Sequence, residues 1–151
     1  MLVLGRYALG DEIARGGIAS VHLGVVLGDA GFTRPVAIKR LLPAVVNDPD
    51  LAAAFLDEAR LASQVRHPNV VSTLDVCRQD GELFLVLEYL HGESLAGLVA
   101  AANRAGERLP VGVVAAVVAG ALRGLAAAHD ARDEHGAPLA IIHRDVTPHN
   151  L

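Results

Sequence analysis

The chain has 151 residues, 52% of them hydrophobic and 20% charged. A chain this apolar is not disordered, and its length suits one ordinary domain or part of a larger one. The formal charge of −4 argues against a generic binder of phosphate backbones, and a single cysteine, Cys77, excludes a disulfide framework and cysteine-based zinc ribbons.

Aromatic residues are only 3%, so the core must come from Ala, Val, Leu and Ile, which fill space only where backbones approach closely. No targeting segment is evident, because the start MLVLGRYALGDE has too short an apolar run for a signal peptide. Tyr7 to Arg15 and Ala19 to Leu27 read as strands joined by Arg15-Gly16-Gly17-Ile18, and the turn-rich stretch 28–33 leads to a third strand over Pro35 to Leu42. Asp48 then offers an N-cap with Pro49 at the first helical position, and Leu51, Phe55, Leu56, Ala59 and Ala62 fall near helical spacing, so a helix is predicted to about Val65. His67-Pro68-Asn69 stops it. Val70 to Val76 and Leu83 to Tyr89 read as strands around the turn Gln79-Asp80-Gly81, followed by a short helix over Ser94 to Asn103.

Pro110 to Asp130 reads as a long, almost wholly apolar helix that should be buried on most sides. Its Gly120-x-x-x-Gly124 matches a membrane dimer motif, but the uncharged run Val111 to Leu122 ends at Arg123, short of the ~20 residues a bilayer demands. The reading preferred is a buried soluble helix with small residues at a tight crossing. Ala140 to Ile142 reads as a short strand and HRDVTPHNL as a loop.

Within this order, several residues carry chemistry. The glycine turn in Ile13-Ala14-Arg15-Gly16-Gly17-Ile18-Ala19-Ser20-Val21 could let backbone N–H groups approach phosphate oxygens, or could be only a hairpin turn. Lys39, in the apolar strand Val36-Ala37-Ile38-Lys39, must snorkel to water or find a negative partner. Glu58, in the following helix, could be that partner or a solvated helix charge. Asp145 and Asn150 stand five apart in His143-Arg144-Asp145-Val146-Thr147-Pro148-His149-Asn150, a spacing that can place a carboxylate by an attacking hydroxyl and an amide oxygen on a metal. The seven histidines do not fit zinc-ligand spacings and read as scattered surface or structural residues.

Taken together, the glycine turn, the V-A-I-K lysine, the helix glutamate and the H-R-D-V-x-x-x-N loop make the chain resemble the first part of a bacterial Hanks-type serine/threonine protein kinase domain. The resemblance covers residues 7 to 151 and includes His67-Pro68-Asn69 and the hinge-like Leu87-Glu88-Tyr89-Leu90. It implies an α+β, protein kinase-like fold. Residues 1–88 would form an N-lobe with a five-stranded antiparallel sheet and one helix; residues 89–151 would form the hinge and an incomplete helical C-lobe. It also implies ATP and Mg²⁺ as cofactors. Gly16 and Gly17 would let the loop fold over the phosphates, Ile13 would contact the nucleotide, and Val21 and Ala37 would form the apolar ceiling over adenine. Lys39 would hold the α- and β-phosphates and pair with Glu58. Glu88 and Leu90 would offer backbone groups to the adenine edge, with Leu87 behind it. Asp145 would orient the acceptor hydroxyl and take its proton, and Asn150 would ligate one Mg²⁺.

The pattern departs from the family at named positions. Ala14 and Ala19 stand where G-x-G-x-x-G has its first and third glycines, and Thr147 stands where serine/threonine kinases usually carry a lysine. The D-F-G aspartate, the activation loop and A-P-E do not occur among the 151 residues, so the expectation is a fragment of a longer kinase, not competent alone, whose exposed apolar helix makes it self-associate. The implied partner is a protein substrate in the cytoplasm. No nucleic acid is expected, and a membrane enters only through a segment lying downstream. The alternatives are a pseudokinase or regulatory nucleotide-binding module, which would lack a following D-F-G, and a small-molecule phosphotransferase of kinase-like fold, whose family commonly lacks an arginine at the position of Arg144.

Overall fold

A computed structural model describes residues 2–151. The chain falls into two compact units: one holds the chain through Ser63 together with Val71–Tyr89, and the other holds Gln64–Val70 and Leu90–Leu151.

The first unit is built on a six-stranded antiparallel sheet. Its strands are β1 (Leu2–Leu4), β2 (Tyr7–Arg15), β3 (Ala19–Leu27), β4 (Thr33–Leu41), β5 (Thr73–Gln79) and β6 (Glu82–Glu88), in the spatial order β1-β2-β3-β4-β6-β5. That is one strand more than the sequence reading. The three-residue β1 is too short for a periodic signal, and it forms by folding back on β2 through Gly5, at φ +58°. The turn between β5 and β6 uses Asp80 at φ 52° and Gly81 at φ 80°, the two left-handed positions that suit a two-residue hairpin. Two helices follow β4: the four-residue α1 (Pro43–Val46), which the apolar spacing did not reveal, and α2 (Pro49–Ala62). The predicted cap of α2 forms, with Asp48 accepting from the amides of Asp50 at 3.0 Å and Leu51 at 3.2 Å. Such a cap contributes about 1 kcal/mol.

Period-two alternation divides the sheet into two apolar faces. Leu4, Tyr7, Leu9, Val36, Ile38, Phe84 and Val86 fill one, while Ala19, Leu41, Leu83 and Leu85 pack with Ala52, Phe55 and Ala59 of α2 on the other. The sheet curls until its two ends meet through polar groups: the buried Tyr7 hydroxyl of β2 donates to Asp75 of β5 at 2.8 Å, and the Arg6 guanidinium donates to both. Close backbone approach replaces bulky side chains elsewhere. At Gly24 a Cβ would lie 2.9 Å from the Ala8 carbonyl oxygen and 2.4 Å from the Ile38 side chain.

In the second unit, α3 (Leu95–Arg104) is capped by Ser94, which accepts from the Gly97 amide at 3.1 Å. The apolar helix α4 (Val111–His129), which a complete lobe would bury on most sides, is largely exposed here, as expected of an incomplete one. Only Gly120 and Gly124 are buried, and Val111 and Leu122 are 84% and 61% exposed. The small-residue motif does mark a tight crossing, because a Cβ on Gly124 would sit 2.7 Å from the Asn69 carbonyl oxygen of the His67-Pro68-Asn69 stop. By length and composition α4 would also serve as a membrane span, but Arg123 lies inside it and its two buried glycines seat the Asn69 loop. No strand forms over 140–142; the chain instead makes an isolated antiparallel bridge between Arg132 and Pro138.

Gly24→Ala is expected to lower stability by about 1–3 kcal/mol through overpacking, whereas Gly17→Ala, where nothing lies within 4 Å, should stay within about 0.5 kcal/mol. Equal urea midpoints for the two variants would contradict this. Burial, reinforced by the bond to Asp75, pushes the Tyr7 phenol above its ordinary pKa of 10.0. The unfolded chain therefore loses this proton first, so the stabilisation is complete below the ordinary value and is lost as pH rises from there through the folded value. Tyr7→Phe should remove that part of the alkaline decline in a pH series of unfolding curves.

Candidate functional site

In the first unit, the register aligns the candidate residues across three strands. Val21 of β3 pairs with Lys39 of β4, which pairs with Leu85 of β6; Leu23, Ala37 and Leu87 form the neighbouring row. Val21, Ala37, Lys39 and Leu87 therefore share one face of the sheet. α2 covers one end of that face through Leu41, Leu83 and Leu85, whereas Val21, Ala37 and Leu87 are only half-buried at the other end. Lys39 sits at the boundary. The spacing of V-A-I-K did not reveal the rest of this surface: Leu23 and Leu85 join it only through cross-strand register.

The glycine turn follows where β2 and β3 close. The Gly16 amide donates to the Ala19 carbonyl at 2.8 Å, and Gly17 would accept a Cβ without contact. Neither glycine sits at positive φ, so the sharp turn itself does not demand them. Ile13 lies in a register shift of β2 and is 52% exposed. Arg15, the last residue of β2, donates to the Glu12 carboxylate, and this hydrogen bond holds the Glu12 carboxyl below its usual range.

The expected ion pair of Lys39 with Glu58 is not formed among the described residues. The Lys39 ammonium lies over the Phe55 ring, 5.5 Å from its centroid, and Glu58 is exposed. Helical phase explains it. Ala52, Phe55 and Ala59 are the buried stripe of α2, and Glu58 stands about 60° round the helix from Phe55 at ~100° per residue. The phenyl ring, not the carboxylate, therefore meets the ammonium in a cation–π contact. At the end of β6, the Glu88 amide donates to the Ser72 carbonyl at 2.9 Å, and its carboxylate accepts from the Ser72 amide at 3.3 Å.

In the second unit, Leu90 is 59% exposed. The Asp145 loop is organised by short-range bonds. The Asn150 side-chain nitrogen donates to the Asp145 carbonyl at 2.9 Å and to its carboxylate at 2.8 Å, and the Asp145 amide donates to His143 Nδ1 at 3.3 Å. Because both acceptors on Asp145 are oxygens, the amide nitrogen must face them, and the amide oxygen is the atom Asn150 presents elsewhere. Arg144 adopts φ 64°, a strained conformation for a non-glycine residue. The first turn of α3 steadies the segment from outside it: the Leu95 amide donates to the Leu151 carbonyl at 2.7 Å, and the Ala96 amide to the Pro148 carbonyl at 2.8 Å. The sequence motif contained the loop, but not this anchorage.

The protein kinase domain profile matches residues 7–151. The chain belongs to the protein kinase family. Among its relatives, the tyrosine-protein kinase MasK of Myxococcus xanthus is 42% identical over 147 residues, covering 97% of this chain and 23% of that protein. The serine/threonine-protein kinase PrkC of Bacillus subtilis is 32% identical over 149 residues, covering 99% of this chain and 21% of the relative. The crystal structure of the Mycobacterium tuberculosis PknI kinase domain superposes with a TM-score of 0.73 at 28% identity, over 99% of this chain and 55% of that one. The chain thus spans little more than half of a solved kinase domain and under a quarter of these two curated relatives. The fold is that of bacterial Hanks-type kinases, as the resemblance implied.

Proposed function

We propose that the protein to which this chain belongs transfers the γ-phosphoryl group of ATP to serine or threonine hydroxyls of proteins. The observation that carries the reading is the shared sheet face. A single lysine stands at the edge of a half-buried apolar surface of Val21, Ala37 and Leu87, carried on β3, β4 and β6. An adenine ring suits that apolar surface, and a phosphate suits the ammonium beside it.

In this reading Val21, Ala37 and Leu87 contact the base, and the backbones of Glu88 and Leu90 meet its polar edge. Gly16 and Gly17 cover the phosphates, and Ile13 contacts the nucleotide. Lys39 leaves the Phe55 ring for the α- and β-phosphates, and Glu58 reaches it by a change in the facing of α2. Asp145 orients the acceptor hydroxyl and receives its proton, within a loop whose backbone is already fixed by Asn150 and α3. The Asn150 amide oxygen and the Asp145 carboxylate are hard oxygen donors that fit Mg²⁺, and Asn150 would hold it. A bound magnesium ion would neutralise phosphate charge during transfer. The site faces the cytoplasm in this reading.

A tyrosine acceptor is the second reading. Thr147 replaces the lysine usual in serine/threonine kinases, and the Myxococcus relative is named a tyrosine-protein kinase.

In the full-length protein, Lys39→Met and Asp145→Asn should each abolish most ATP-dependent phosphorylation of a protein substrate, by about 10²-fold or more. Unchanged autophosphorylation in either variant would refute the assignment, and phosphoamino-acid analysis of the product decides between hydroxyl classes. Residues 1–151 alone should bind Mg-ATP weakly, show no turnover near the ~1–100 s⁻¹ of kinases, and self-associate through the exposed α4. A monodisperse monomer by light scattering would contradict the last point.

A further inference from the structure

The β2–β3 hairpin that carries the glycine turn is not a regular ladder. Its register shifts between Leu9 and Glu12 and again between Glu12 and Ala14. Bulges bend a strand and leave ladder groups to be satisfied by other means. Here a side chain from the opposite strand does so. His22 of β3 is 9% exposed, and its Nδ1 lies 3.2 Å from the carbonyl oxygen of Gly10, inside the first shift. Its Nε2 lies 3.0 Å from Oγ of Ser20, itself 2% exposed.

A carbonyl only accepts, so Nδ1 carries a proton, while Nε2 is hydrogen-bonded to the Ser20 hydroxyl, which can serve as donor or acceptor. The backbone it grips has no slack: a Cβ on Gly10 would come 2.6 Å from the Leu23 carbonyl oxygen. Register places His22 opposite Glu12 and beside Ile38, which is followed across the sheet by Val86. That is the face away from Val21 and Lys39, so the imidazole reaches the turn only through the β2 backbone.

We propose that His22 is a positioning residue for the nucleotide flap. By clamping the Gly10 carbonyl from behind, it fixes the angle at which the hairpin carries Gly16, Gly17 and Ile18, and the affinity for ATP depends on that angle. The inference rests on the nucleotide reading of the glycine turn.

The test uses the full-length protein. His22→Ala removes both bonds, whereas His22→Asn keeps an N–H donor near the position of Nδ1. His22→Ala is expected to raise KM for ATP about fivefold, the loss of roughly one net hydrogen bond, with kcat little changed. His22→Asn should restore most of that affinity. Nitrogen-15 spectra of the unsubstituted protein should place the His22 proton on Nδ1, and amide exchange at Gly16 to Ile18 should quicken in His22→Ala. A KM unmoved by His22→Ala, a loss confined to kcat, or an Nδ1 without a proton would overturn the inference. If His22→Ala does not fold, His22→Asn together with Ser20→Ala decides. Ser20→Ala releases the far side of the ring and should raise KM measurably but by less than about fivefold, while His22→Asn stays near the unsubstituted value; an unchanged KM in Ser20→Ala overturns the proposal. Absence of ATP binding in the unsubstituted protein would remove the nucleotide reading and the inference together. Normal binding there with an unmoved KM in the variants would remove the inference alone.

Discussion

A cation held in the middle of an apolar strand governs the first unit. β4 is hydrogen-bonded on both sides, to β3 and to β6, so its backbone cannot shift to relieve the burden of Lys39. Val36 and Ile38 are fully buried on one face and Leu41 on the other. These anchors fix the register, and a one-residue slip would move every one of them to the opposite face and carry Lys39 onto the face that Val36 and Ile38 fill. The ammonium must therefore satisfy itself from its own face. It takes the Phe55 ring, the π-rich surface that α2 presents there. A cation on an aromatic face is held less firmly than one in a desolvated, hydrogen-bonded ion pair, so it remains available to an anionic ligand.

Much of this was legible from the sequence because the signals are local. Asp48-Pro49 sets a helix start within three residues, Asp80-Gly81 sets a two-residue turn, and the H-R-D-V-x-x-x-N string bonds largely to itself. Features decided by distant parts of the chain were not legible. β1 exists only because β2 offers an edge, and the phase of α2 comes from which residues the sheet buries, so Phe55 rather than Glu58 faces Lys39. The exposure of α4 accords with the expectation of an incomplete helical lobe. Its composition states that it wants cover, but composition cannot state that only Gly120 and Gly124 find it within this chain.

The Asp145 loop shows how a local motif still depends on a remote element. Asn150 closes the loop onto Asp145, yet the loop's last carbonyls are held by α3, through amides that every helix start leaves unpaired. Ser94 caps the same end, so one helix terminus both satisfies itself and secures the segment bearing Asp145. The strain at Arg144 is sustained within that frame.

Scarcity of aromatics joins these observations to the glycines. With few large side chains to fill space, the chain gains contact by bringing backbones together, and a Cβ would collide at Gly10, Gly24 and Gly124. Gly16 and Gly17 differ, because neither is needed for room or for positive φ. In the proposed nucleotide reading, such a side-chain-free turn leaves room for a phosphate to approach the backbone, whereas Gly10, Gly24 and Gly124 are explained by packing alone.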